Sequence, residues 1–262
     1  MVQNVLAMAS DILERRPPEP GIRLRYGADR NQFGELRLPV ASAKHPVAMV
    51  VHGGYWRAQY DLSYSGHMAR ALTQAGLATW NVEYRRVGNQ GGGWPGTFDD
   101  VTAGLRFLSQ IGGKYNLDAQ RVVAVGHSAG AQLAFCLAGH KLGVHGVVSL
   151  AGVLDLRRAW ELHLSNDAVV EFLGGTPSEV AEHYRDASPA ELAISGTVRQ
   201  RIVHGLRDDA VPYSISPDYV KAKRAKGEDV DLLTLASADH FDIVDPQSEV
   251  WPQVEKVIVG CV

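Results

Sequence analysis

The chain has 262 residues, of which 45% are hydrophobic and 21% charged, with a formal net charge of -3. That length fits one large α/β domain with ample apolar material for a core. The mild negative balance argues against nucleic acid or an anionic membrane as partner, and the two cysteines, Cys136 and Cys261, are too far apart to suggest a disulfide framework.

No stretch reaches the roughly 18 consecutive apolar residues of a membrane span. The N-terminus lacks a basic region before its apolar stretch, so Val2, Val5, Leu6, Ile12 and Leu13 read as a short amphipathic helix rather than a signal peptide. A reducing, cytoplasmic setting is the expectation. Pro17, Pro18 and Pro20 end that helix. Alternating runs at 22–26 and 35–40, separated by Gly27, Asn31 and Gly34, predict an antiparallel pair at a sheet edge.

Beyond them the pattern changes to short buried-strand runs at 47–51, 78–83, 121–125, 144–150, 200–203 and 230–235. Helical patterns lie between most of them, at 67–74, 97–110, 131–142 and 219–226, and a last helix falls within 248–259. Strands alternating with helices predict an α/β fold, a single domain over 1–262 with a mostly parallel sheet and helices on both faces. The stretch 155–196 holds several helical pieces and no clear strand. It is expected to be a cap insertion over the site; the other reading is extra helices packed on the sheet edge. The basic run Lys221, Lys223, Arg224 and Lys226 is expected to form the solvated face of a helix.

The chemistry concentrates after the run 121–125, which leads directly into Gly126-His127-Ser128-Ala129-Gly130 and then into a helical pattern. G-x-S-x-G between a strand and a helix lifts a serine above the sheet on a tight turn, where small neighbours are needed. A serine hydroxyl is a poor nucleophile and must be aimed and given a base. The helix N-terminus supplies unpaired N–H groups and partial positive charge near a developing oxyanion. His127 is expected to point away from the nucleophile.

After the run 47–51 comes His52-Gly53-Gly54-Tyr55-Trp56, a glycine turn suited to close backbone approach to a ligand. The expected oxyanion donors are Gly53, Gly54 and Ala129, with Tyr55 and Trp56 expected in the substrate pocket. Trp56 reads equally well as core. His52 is expected to be a structural hydrogen-bonding residue.

In this kind of site the acid and then the histidine follow the serine along the chain. His240, after strand 230–235 and the polar turn at 237–239, is the expected base. The segment His204-Gly205-Leu206-Arg207-Asp208-Asp209 ends another strand and places a carboxylate at the C-terminal rim of the sheet. Asp208 or Asp209 can serve as the acid that orients the imidazole. Metal-ligand spacing such as H-E-x-x-H is absent from the sequence, and acyl transfer of this kind calls for no cofactor.

Together these residues resemble the α/β-hydrolase superfamily of the esterase/lipase type. His52-Gly53-Gly54-Tyr55-Trp56 resembles the HGGxW signature of kynurenine formamidases (arylformamidases) and related small bacterial esterases. His204-Gly205-x-x-Asp208 followed by Val211-Pro212 resembles that group's acid segment, and this favours Asp208. Ala238-Asp239-His240-Phe241 resembles its base loop, and Glu83-Tyr84-Arg85-Arg86 is similar to a segment of bacterial members. One departure is Ala131, where many members have a further glycine after the elbow. The resemblance implies the α/β-hydrolase fold, a Ser128–His240–Asp208 triad, a small-molecule ester or amide (aryl-formamide) substrate, and room for a homodimer. The alternative is an α/β-hydrolase scaffold that binds a small ligand without turnover.

Overall fold

The computed structural model describes residues 11–40 and 43–262. The helix expected over residues 2–13 therefore lies mostly outside the described residues; its described end is α1 (Asp11–Glu14). The chain continues through β1 (Ile22–Arg25), β2 (Phe33–Arg37), β3 (His45–Val51), α2 (Ser65–Gln74), β4 (Ala78–Val82), α3 (Gly96–Tyr115), β5 (Leu117–His127) and α4 (Ala129–Gly139). It then forms β6 (Gly146–Leu150), α5 (Leu156–Glu161), α6 (Ala168–Leu173), α7 (Ala181–Ala187), β7 (Arg199–Gly205), α8 (Ile215–Arg224), β8 (Val230–Leu235) and α9 (Trp251–Val259).

The strands make one eight-stranded sheet in the order β1-β2-β4-β3-β5-β6-β7-β8. β2 runs antiparallel to both β1 and β4, and from β4 to β8 every pairing is parallel. The expected edge hairpin and mostly parallel sheet are therefore both present, in the α/β-hydrolase arrangement. Among the described residues no helix is long and apolar enough to cross a membrane.

Strand alternation divides the core in two. Val47, Met49 and Val51 of β3 face one cluster, shared with Val101 and Leu105 of α3, Leu133 and Leu137 of α4, and Tyr219 of α8. Ala48 and Val50 face the other, with Met68 and Leu72 of α2 and Trp251, Val254 and Ile258 of α9. Central strands are covered on both sides, which is why they read as continuous apolar runs. The parallel register also brings the C-terminal ends of β3, β5, β7 and β8 to one rim, where the loops carrying the chemistry emerge.

One expectation needs correction. Lys221, Arg224 and Lys226 are exposed, but Lys223 is fully buried. It falls on the same face of α8 as Tyr219 and Val220; its ammonium donates to the Leu192 carbonyl and lies 3.6 Å from Glu228. The 155–196 insertion forms α5, α6 and α7, and it packs on α4 and the loop after β3. Phe172 stacks on Trp56 with ring centroids 4.5 Å apart, and Ala187 accepts a hydrogen bond from Gln132 of α4. The insertion is a buttress against α4 and the loop after β3.

Candidate active site

β5 ends at His127, and Ser128 follows with φ 56° and ψ -122° before α4 begins. That backbone conformation costs a non-glycine residue about 1–3 kcal/mol and persists only where surroundings enforce it. Here the Ser128 N–H donates to the Leu150 carbonyl of β6 at 2.9 Å, and its carbonyl accepts from Ala131 at 3.0 Å. The turn is tight enough that a side chain on Gly130 would come 2.2 Å from the Val51 carbonyl oxygen, and one on Gly126 would come 2.3 Å from that of Gly130. Both glycines of the motif are required by packing, and Ala131, the departure from the commoner pattern, is accommodated in the core.

His240 lies on the loop after β8. Its Nδ1 meets Asp208 Oδ2 at 2.7 Å. Asp208 Oδ1 accepts the N–H groups of Ala210 and Val211 at 2.9 and 2.7 Å. A second imidazole, His204, sits with Nε2 3.2 Å from Asp208 Oδ2 and 3.0 Å from the Val211 carbonyl. Burial alone would raise the Asp208 pKa. The hydrogen bonds with His204 and His240 outweigh it and hold the carboxyl well below the ordinary range. Asp208 rather than Asp209 thus makes the contact with His240. In the tautomer that donates Nδ1–H to Asp208, His240 presents the lone pair of Nε2. The contact of His204 with the acid was not anticipated. Its signal was the four-residue spacing of His204 and Asp208 at a strand end.

His127 is directed away from the nucleophile, as expected. Its ring lines the same cleft, with its centroid 4.5 Å from that of His240. Its Nε2 bonds the His240 carbonyl at 3.0 Å and its Nδ1 bonds Tyr64 Oη at 2.8 Å. Burial first, and the neighbouring His240 second, push its pKa well below the usual value.

The loop after β3 turns at Gly54, whose φ of 109° disfavours any other residue. His52 is structural as expected, with Nδ1 2.8 Å from the Gly53 carbonyl and Nε2 3.1 Å from Glu83. Gly53 leaves the expected donor set, because its N–H donates to Tyr64 Oη at 2.7 Å. Among the described residues the N–H groups of Gly54, Tyr55 and Ala129 donate to no acceptor, so they are the donors free to receive an oxyanion. Tyr55 lines the cleft, and its hydroxyl donates to the Ala210 carbonyl at 2.5 Å. Trp56 does not line it. It is 1% exposed, with Nε1 donating to Gln132 at 2.9 Å, so of its two readings the core one holds.

The cleft measures about 160 Å³. Ser128 and His240 open into it, and Leu13, Tyr55, Tyr60, Tyr64 and Phe241 form most of its wall. Among the described residues no Lys, Arg, Asp or Glu lines it. A serine at a strained turn, an imidazole held by a carboxylate and free N–H donors around one small apolar cleft are the parts acyl transfer uses.

The BD-FAE family model matches residues 36–222, well over half of the chain. The chain belongs to the BD-FAE family. These are α/β-hydrolases of the esterase type. The chain is also similar to a protein of Oryza sativa subsp. japonica named as a probable isoprenylcysteine alpha-carbonyl methylesterase, with 23% identity over 83% of this chain and 56% of that one. It is 25% identical to esterase LipC of Mycobacterium tuberculosis, over 88% of this chain and 65% of that one. It therefore spans less than two thirds of the length of these curated relatives. Among solved structures, a propionate-bound thermophilic esterase of Thermogutta terrifontis superposes with a TM-score of 0.76 at 18% identity, covering 94% of this chain and 97% of that one. That likeness speaks to the fold.

Proposed function

We propose that the protein is a serine hydrolase that cleaves carboxylic esters of short, uncharged acyl groups. The observation that carries this reading is Ser128, held in a strained left-handed conformation at a strand-to-helix turn, in one cleft with an imidazole bonded to a buried carboxylate. His240 Nε2 takes the Ser128 proton as Oγ attacks the carbonyl carbon, and Asp208 stabilises the imidazolium. The N–H groups of Gly54, Tyr55 and Ala129 receive the oxyanion. His240 then protonates the leaving alcohol and activates water, which releases the acid and restores Ser128.

The size and polarity of the cleft support an ester substrate over a formamide of the kynurenine type. N-formyl-L-kynurenine carries a carboxylate and an ammonium, and an uncharged wall offers neither an ion-pair partner. About 160 Å³ admits a short acyl chain such as the propionate bound to the Thermogutta terrifontis esterase. Rates on p-nitrophenyl acetate, propionate and octanoate, and on N-formyl-L-kynurenine, test this. The expected result is a kcat/KM highest for acetate or propionate and at least tenfold lower for the other two. Preference for N-formyl-L-kynurenine would overturn the ester assignment.

A further inference from the structure

The oxyanion loop and the base loop are 187 residues apart in sequence, yet one uninterrupted chain of hydrogen bonds joins them: Gly53 N–H to Tyr64 Oη at 2.7 Å, Tyr64 Oη to His127 Nδ1 at 2.8 Å, and His127 Nε2 to the His240 carbonyl at 3.0 Å. Each polarity in it follows from chemistry. A carbonyl only accepts, so His127 Nε2 carries a proton. A neutral imidazole has one N–H, so Nδ1 accepts, and the donor it meets is the Tyr64 hydroxyl. Tyr64 Oη in turn accepts from Gly53. Burial supports both assignments, keeping the Tyr64 phenol protonated and the His127 imidazole neutral.

We infer that Tyr64 and His127 are positioning residues, a neutral relay that fixes the oxyanion loop and the backbone of His240 relative to Ser128. The inference rests on the serine-hydrolase reading above. The relay engages the Gly53 N–H and so sets the orientation in which the N–H groups of Gly54 and Tyr55 stay free. At its other end it holds the main chain of a base whose side chain is held separately by Asp208. His240 is thus anchored at two points, and a shift in one loop is transmitted to the other. Because small errors in the placement of catalytic groups cost rate more than binding, the loss should fall on kcat.

Tyr64→Phe removes only the hydroxyl and keeps the ring that lines the cleft. His127→Gln can retain a donor to the His240 carbonyl, whereas His127→Phe retains only the ring. Kinetics on p-nitrophenyl acetate and propionate, with circular dichroism to confirm folding, read the effect. The expected result is a kcat about tenfold to a hundredfold lower for Tyr64→Phe with KM changed less than about twofold. His127→Gln should keep more kcat than His127→Phe. Wild-type kcat in folded Tyr64→Phe would overturn the relay, as would a loss confined to KM and graded with acyl length, which marks a wall role. Should the His127 variants fail to fold, Tyr64→Phe alone decides. An inactive wild type, or an active Ser128→Ala, would instead mark failure of the hydrolase reading.

Discussion

Asp208 shows how much depends on one side chain. Its carboxylate is fully buried, and it stays charged because the N–H groups of Ala210 and Val211 and the imidazoles of His204 and His240 surround it. Its pKa is depressed on folding, so its contribution to stability is fully present above the unfolded value of about 4 and is lost as pH falls toward the folded one. Thermal melts at a series of pH values should therefore show the stability gap between wild type and Asp208→Asn narrowing below about pH 4. A gap that stays constant there would contradict the depressed value. The same variant should lose roughly 10⁴-fold in kcat at neutral pH, because an amide does not fix the productive imidazole tautomer. A loss of tenfold or less would remove Asp208 from the acid's role.

At the scale of elements, the helical insertion grips the loop after β3. Phe172 of α6 stacks on Trp56 at an interplanar angle of 7°, and Glu171 forms a two-pronged ion pair with Arg57, whose Nε lies 2.8 Å from Glu171 Oε2. Both contacts grip the segment that follows the free N–H groups of Gly54 and Tyr55. Their weights differ. Trp56→Ala deletes a fully buried indole and should cost about 3–5 kcal/mol. Glu171→Ala opens a pair with an exposed carboxylate and should cost less than about 1 kcal/mol. Chemical denaturation measures both, and equal costs would show that the ion pair, not the stacked core, braces the loop. α1 reaches the site directly: Leu13 lines the cleft, and Arg15 holds the segment through a bidentate contact with Asp245 at 2.7 and 2.8 Å.

For the whole molecule, what was legible in the sequence was what local chemistry dictates. The order of strands and helices followed from apolar runs and turn residues, and β8 has the bounds expected. β5 begins earlier than expected, at Leu117, because residues 118–121 separate that leucine from the apolar run and span an irregularity in the pairing with β3. The elbow and His240 were legible because each sits at a strand end next to a characteristic turn, whereas the local pattern left Asp208 and Asp209 both open and only the resemblance to the acid segment favoured Asp208. What escaped was set by partners remote in sequence. The Gly53 N–H is engaged by Tyr64, His127 is turned by residues 63 and 113 positions away, and Trp56 finds its core partner in α6. No pattern within a short window encodes those contacts. Lys223 was misplaced for the same reason, since Glu228 and the Leu192 carbonyl let a lysine lie inside.

The central claim is that Ser128 Oγ is the attacking atom. A fluorophosphonate probe followed by peptide mass spectrometry tests it most directly, because the probe reacts only with a serine that has been activated. The expected result is one adduct per chain, on Ser128, absent in Ser128→Ala. An adduct on another serine, or no labelling of protein that is folded, would contradict the account.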